Sequence, residues 1–318
     1  MDKQKVIVIC GPTASGKTKL SIEIAKKING EIVSADSMQI YKEMDIGTAK
    51  PTIEEMQGIK HYLLDFVSPD KRYSVADYKK DAINAIDEII EKNKVPIVVG
   101  GTGLYINSLI YGIEYPEIEI DIKYRNELER TADEPDGLRK LYEMAKKIDE
   151  EAIKNISPND KKRICRILEI YHSTGKTKTQ QEIESRKNGP KYDYIVYGLN
   201  MDRDKLYDRI NKRVDIMIQD GLIEEVKNVA SKYKEFPTAM QGLGYKEVLE
   251  YLNGDTTKEK MIEKIKMETR RYAKRQLTWF RKNKQTIWLD GSKDRQNNVD
   301  IILEGINWKR ILEGYCEK

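Results

Sequence analysis

Hydrophobic positions along the chain follow two rhythms. Short unbroken apolar runs, KVIVIC at 5–10, EIVSA at 31–35, HYLLDF at 61–66 and VPIVVG at 95–100, read as strands buried on both faces. Between them the period lengthens to that of a helix, first from Lys17 to Ile28 and then over 74–92. There Ala76, Ile83, Ile86, Ile89 and Ile90 mark the apolar stripe. Strands alternating with helices predict an α/β fold, a parallel sheet flanked by helices. After Gly112 the strand pattern stops. Helices fit near 121–132, 136–148 and 159–174, the last opened by the capping sequence SPND at 157–160 and stopped by Gly175. Strand character returns in YDYIVYGLNM at 192–201. Helices near 203–219, 221–233 and 257–284, a strand TIWLD at 286–290 and a helix near 297–313 follow. The expected organisation is a core of residues 1–113 and 191–318 interrupted by an all-helical insertion at 114–190.

Composition narrows the class. The 318 residues are 39% hydrophobic and 35% charged, a globular balance with a heavily solvated surface. No apolar run approaches the roughly 20 residues of a membrane helix. The run from Val6 to Cys10 is too short for a signal-peptide core, so a cytoplasmic location without membrane contact is expected. Cys10, Cys165 and Cys316 are far apart, and His61 and His172 are the only histidines. That argues against a zinc site, a zinc finger, a disulfide framework or a Ser-His triad. Net charge is only +4, yet residues 258–284 hold eleven Lys/Arg against three Asp/Glu. A basic segment on a mildly acidic body suggests a polyanionic partner.

The sharpest motif is GPTASGKT, Gly11, Pro12, Thr13, Ala14, Ser15, Gly16, Lys17 and Thr18. It fills G-x-x-x-x-G-K-[ST], with a buried strand before it and a helix after it. Backbone N–H groups and the helix N-terminus then face a phosphate, Lys17 reaches the outer phosphates and Thr18 offers a hydroxyl to Mg²⁺. The bland alternative is a chance glycine turn. A P-loop names a di- or triphosphate but not whether phosphate is transferred or discarded. A second GKT at 175–177 has Ile170 where the first glycine belongs and reads as a helix C-cap.

Two further turns follow predicted strands and face the same switch point of the sheet. In SADSMQ, Asp36 is a candidate general base, Mg²⁺ ligand or simple turn former. In VGGTGLY, Thr102 either projects into the cleft or caps the next helix.

GPTASGKT, DSMQIYKEMDIGTAKP at 36–51 and GGTGLY at 100–105 together resemble the tRNA dimethylallyltransferase (tRNA isopentenyltransferase) family. The resemblance continues through HYLLD, YSVADY, SPNDKKRICRILEI, GLGYKE and RRYAKRQLTWFR. It implies transfer of a dimethylallyl group from its diphosphate to N6 of adenosine 37, 3′ of the tRNA anticodon, with pyrophosphate as the discarded group and Mg²⁺ as cofactor. It implies Asp36 as base, Thr102 beside the target adenine, and Lys17 and Arg213 on the diphosphate. The segment Asp36, Ser37, Met38 and Gln39 then meets the target-base region. Arg125, Lys162, Arg163 and Arg166 meet the anticodon stem-loop, on an insertion helix whose Ile164, Ile167, Leu168 and Tyr171 form the core face. Locally, Arg125 also reads as an ordinary surface charge beside Glu129, and Arg209 and Arg213 as solvated helix positions. On the helix 257–284, Lys266, Arg270 and Lys274 form a basic stripe, with Arg271 and Arg275 adjacent and Tyr272, Trp279 and Phe280 inside. Gln241 departs from relatives that carry arginine there. A monomer is expected. The rival readings are a P-loop kinase of a small metabolite and a non-catalytic RNA-binding protein.

Overall fold

The computed structural model describes residues 3–115, 121–154 and 156–306. The chain divides into two compact units, one made of residues up to Ile110 and from Lys191 onward, the other of Tyr111–Pro190.

The first unit begins with β1 (Lys5–Cys10), α1 (Lys17–Lys27) and β2 (Gly30–Ser34). The short helix α2 (Ile53–Met56), β3 (His61–Tyr62), α3 (Val75–Glu91), β4 (Val95–Gly100) and α4 (Gly103–Ile110) follow. The second unit holds α5 (Ile122–Asp133), α6 (Gly137–Ile148), α7 (Glu150–Ile153), α8 (Lys161–Thr174) and α9 (Lys178–Glu184). The chain then returns to the first unit with β5 (Asp193–Asn200), α10 (Arg203–Gln219), α11 (Leu222–Lys232) and a single 3₁₀ turn at Ala239–Gln241. Helices α12 (Tyr245–Leu252) and α13 (Lys258–Phe280), strand β6 (Ile287–Asp290) and α14 (Arg295–Ile306) complete it. Expectations for 307–313 and for Cys316 lie outside the described residues.

The six strands form one parallel sheet in the order β3-β2-β4-β1-β5-β6. β1 is unbroken in its hydrophobicity because both its faces are covered. Ile7 and Ile9 pack with Leu20 and Ile24 of α1, with Ile28 just beyond it, and with Val299 and Ile302 of α14. Val6, Val8 and Cys10 turn to the other face, against Tyr78, Ile86 and Ile89 of α3 and Tyr105 of α4. The alternation is the two-residue period of a strand, read from both sides at once.

Three departures from the sequence pattern have local causes. HYLLDF keeps strand pairing only at His61–Tyr62. Leu63 and Asp65 turn to φ 59° and 55°, and the amides of Asp65 and Phe66 bond to Gln39 and Ile40 instead of the sheet. The buried face of α3 is centred on Tyr78, Ala82, Ile86 and Ile89, and Ala76 is exposed. Tyr78 stacks on Tyr105 with ring centroids 3.9 Å apart, and this large ring sets the helix rotation. Helices α7, α9 and α12 are too short for a periodic signal. α9 is opened by a capping box at Thr177 and Gln180.

Every regular element among the second unit's described residues is a helix. Leu128, Leu141, Ala145, Ile153, Ile164, Ile167 and Leu168 form its core. Gly175 closes α8 in the left-handed conformation at φ 67°. Tyr171, read as part of the core face, is instead 43% exposed.

Candidate active site

The P-loop leaves the end of β1 and enters α1. Ala14 adopts φ 62°, a left-handed conformation that carries a cost for a residue with a Cβ. Lys17 Nζ donates to the carbonyl of Pro12 at 2.7 Å. Ser15 Oγ is buried with no hydrogen-bond partner. Burial pushes the Lys17 ammonium down to about 8, helped by the charge of Arg213 and opposed by that of Asp36. Arg213, from α10, sits with Nη1 3.5 Å from Thr13 Oγ1, and burial lowers its pKa too. Two desolvated cations beside a loop that enters a helix N-terminus are arranged for an anion.

Asp36 and Thr102 lie at the ends of β2 and β4. Asp36 Oδ1 accepts from the amides of Met38 at 2.9 Å and Gln39 at 3.3 Å, so one oxygen forms the turn. Oδ2 has no hydrogen bond among the described residues. Thr102 does not spend its hydroxyl on capping α4. Its Oγ1 accepts from the Ser37 amide at 2.9 Å and donates to Ser37 Oγ at 3.2 Å. Asp36, Ser37, Met38, Gln39 and Thr102 therefore form one cluster, and the charge of Asp36 is felt by Lys17 across the cleft.

An outer frame holds this cluster, and apart from Gln39 and Tyr272 its members carry no individual signal in the sequence. Gln39 Nε2 donates to the carbonyls of Thr48 and Ala49, both at 3.1 Å. The preceding residues are fixed by Glu225 of α11, which accepts from the amides of Asp45 at 2.8 Å, Ile46 at 2.7 Å and Gly47 at 3.0 Å. Tyr245 of α12 donates to the same carboxylate at 2.6 Å. Gly47 is required because a Cβ there would meet the Tyr245 ring at 2.5 Å. The motifs DIGTAKP and GLGYKE are thus two halves of one clamp. Tyr272 and Gln276 of α13 reach the site from another side. Burial, then the charge of Asp36, pushes the Tyr272 phenol up, and hydrogen bonding with Thr102 and Gln276 opposes this.

The remaining basic residues are arranged differently. In the second unit Arg125 meets not Glu129 but Glu169, in a two-pronged pair at 2.6 and 2.8 Å. Arg166 joins the same carboxylate at 3.2 Å. Lys161 pairs with Asp133 at 2.7 Å, Arg163 stands 3.4 Å from Asp160, and Lys162 and Arg163 are exposed. On α13 the stripe is partly used inward. Lys266 pairs with Asp215 at 2.7 Å and Arg270 donates to Asn211 at 2.6 Å, fastening α13 to α10, while Lys274 and Arg275 are exposed. Arg209 is exposed where Arg213 turns inward. Gln241 is exposed, and Gly242 beside it packs on Met38.

Magnesium takes oxygen ligands and keeps several waters, so it is held by one or two protein groups plus phosphates. The Thr18 hydroxyl is such a donor. Among the described residues no cluster of three or more Asp, Glu, His or Cys could hold a metal ion.

Fold and site define a P-loop protein of the parallel α/β class, with a carboxylate set across the cleft from its anion cradle. The sequence model of the IPP transferase family matches residues 39–283. The tRNA dimethylallyltransferase of Acetivibrio thermocellus is 53% identical over 304 residues, 95% of this chain and 96% of that protein. The crystal structure of the tRNA isopentenylpyrophosphate transferase of Bacillus halodurans is 42% identical and superposes with a TM-score of 0.72 over 99% of each chain. A eukaryotic dimethylallyltransferase, captured acting on tRNA, gives a TM-score of 0.80 at 32% identity, over 96% of this chain and 80% of that one. The chain belongs to the tRNA dimethylallyltransferase family.

Proposed function

We propose that this chain transfers a dimethylallyl group from dimethylallyl diphosphate to N6 of adenosine 37 of tRNA, releasing pyrophosphate. The observation that carries the reading is the pairing of an anion cradle, with desolvated Lys17 and Arg213, and an Asp36 carboxylate whose Oδ2 is open on the same cleft. In the transfer the allylic C–O bond breaks, the C–N6 bond forms, and the N6 proton passes to Asp36 Oδ2. Adenine's exocyclic amine is a weak nucleophile, so the reaction relies on positive charge at the allylic carbon and on stabilising the departing pyrophosphate. The P-loop at the start of α1, Lys17 and Arg213 supply that stabilisation. Thr18 is the residue that would hold Mg²⁺, and the ion would supply Lewis-acid charge to the leaving group. Thr102 and the segment 36–39 hold the adenine after it flips from the loop, at a cost of a few kcal/mol. The exposed Lys162 and Arg163, with Arg125 and Arg166 behind them, face the anticodon stem. A monomer in the cytoplasm suits this reading. Among the described residues no helix is long and apolar enough to cross a membrane.

The test uses the full chain, Mg²⁺ and an unmodified anticodon stem-loop, with either labelled dimethylallyl diphosphate or labelled ATP. Label enters RNA from the first, disappears when the target adenosine is guanosine, and drops about a hundredfold in Asp36→Ala. ATP consumption with a metabolite acceptor and no prenyl transfer would establish the kinase reading instead.

A further inference from the structure

The anion cradle and the acceptor-side loop hang from neighbouring strands. The β1–β4 ladder ends where Cys10 stands opposite Gly100. Beyond that pair the two backbones diverge into the P-loop and the Thr102 loop. Gln276 of α13 lies between them, 5% exposed. Its Oε1 accepts from the Thr13 amide at 2.9 Å, and its Nε2 donates to the Gly101 carbonyl at 2.9 Å. A primary amide offers an acceptor and a donor at one side-chain terminus without charge, which suits bridging an N–H to a C=O in a buried place. The fit is close, because a Cβ on Gly101 would stand 2.2 Å from Nε2. The next residue is Thr102, whose hydroxyl holds Ser37 and with it the Asp36 turn.

We propose that Gln276 is a positioning residue that sets the separation between the diphosphate cradle and the Thr102–Asp36 side of the cleft. This rests on the prenyl-transfer reading. The two reactants are held by different loops, and the allylic carbon must lie in line with N6 and the leaving oxygen. Misplacement by about 1 Å in such an arrangement costs on the order of a hundredfold in rate. Neither loop needs Gln276 to hold its own ligand. Without the strap both ligands bind, but they no longer meet at the reacting distance.

The experiment compares the full-length wild type with Gln276→Met, which keeps the side-chain length and loses both hydrogen bonds. We measure kcat and both KM values, and separately the Kd for pyrophosphate with Mg²⁺ and for the unmodified stem-loop. The expected result is a fall in kcat of about a hundredfold, with each Kd within about threefold of wild type. A kcat within about threefold of wild type overturns the proposal, and so does a loss carried wholly by weaker pyrophosphate binding, which would make Gln276 part of the cradle's own folding. If Gln276→Met does not fold, Gly101→Ala displaces the strap from its other end. Gly101 has no positive φ, and the nearest atom to an added methyl is the Gln276 amide nitrogen, so the same split is expected. Wild type that transfers no prenyl group would overturn the proposed function itself. Active wild type with an equally active Gln276→Met overturns only the strap.

Discussion

Cations beside the P-loop and those around Glu169 are handled in opposite ways. Beside the P-loop, Lys17 and Arg213 are drawn out of water with no carboxylate at ion-pair distance among the described residues, and burial pushes both pKa values down. In the second unit Arg125 and Arg166 converge on Glu169. Burial pushes that carboxyl up, but its two arginines more than offset the effect and hold it below the ordinary range. A buried cation lacking its own anion is an incomplete arrangement that a ligand completes. A buried cation with its anion is already complete and holds helices together. Residue type and local charge do not separate these cases, whereas pairing does.

The largest effect that breaks the comparison is at Lys17. Lys17→Met should cut prenyl transfer by about a hundred- to a thousandfold, as for loss of one preorganised donor to a developing anion. Its melting temperature should not fall, because the cost of a desolvated charge is removed with the side chain. A protein that melts markedly lower would mean that Lys17 holds the loop through Pro12 rather than waiting for an anion. Glu169→Gln should do the reverse. It leaves Arg125 and Arg166 around a neutral amide and should cost about 2 kcal/mol in urea unfolding, since removing one partner of a largely buried pair is destabilising and Arg125 is partly solvated. Pyrophosphate affinity should be unchanged.

A smaller effect distinguishes the units by acid. Asp149, buried between α7 and α9, is pushed up by burial. The Thr179 hydroxyl and amide and the Ala152 amide more than offset this and hold it below its ordinary value. A carboxylate lowered in the folded state stabilises it above about pH 4, and that stability is lost as pH falls through the lowered value. Circular-dichroism melts from pH 7 to pH 3 should show this loss in wild type, and Asp149→Asn should flatten it. The expected change is less than that of Glu169→Gln at neutral pH. An acid slope unaffected by the substitution would place it in other carboxylates, Glu169 first.

Much of this was legible before any coordinates. The parallel sheet follows from unbroken apolar runs separated by amphipathic helices, and the P-loop from a spacing with few competing explanations. Asp36 and Thr102 were locally ambiguous, and the ambiguity was physical. Asp36 does form a turn with Oδ1, so the turn reading and an open Oδ2 are both true. What escaped were partners far apart in sequence. Glu225 reads as one more helix charge until Asp45, Ile46 and Gly47 point their amides at it. Gln276 carries no local signal until its two ends are found on two loops. The stripe itself was overread, because Lys266 and Arg270 fasten α13 to α10.

The smallest expected effect sharpens the comparison where the RNA is proposed to lie. Lys162 and Arg163 are exposed on α8, immediately before the buried Ile164 and Cys165, and a solvated face and an RNA-facing one look the same in a free protein. Salt separates them. Each phosphate contact releases counterions, so the slope of log K against log salt should shrink by about 0.7 to 0.9 for each of Lys162→Ala and Arg163→Ala. Affinity for the stem-loop should fall a few-fold, roughly uniformly across sequences. Turnover at saturating RNA should stay at the wild-type value, because neither residue is in the unit that holds Lys17 and Asp36. Arg125→Ala should behave otherwise, losing stability through Glu169 before it changes the slope, since its guanidinium is already spent on a carboxylate. If all three slopes equal the wild type, α8 is a solvated helix and the stem-loop's phosphates are met by other residues. If only Lys162 and Arg163 change it, exposure separates the residues that hold RNA from those that hold the fold.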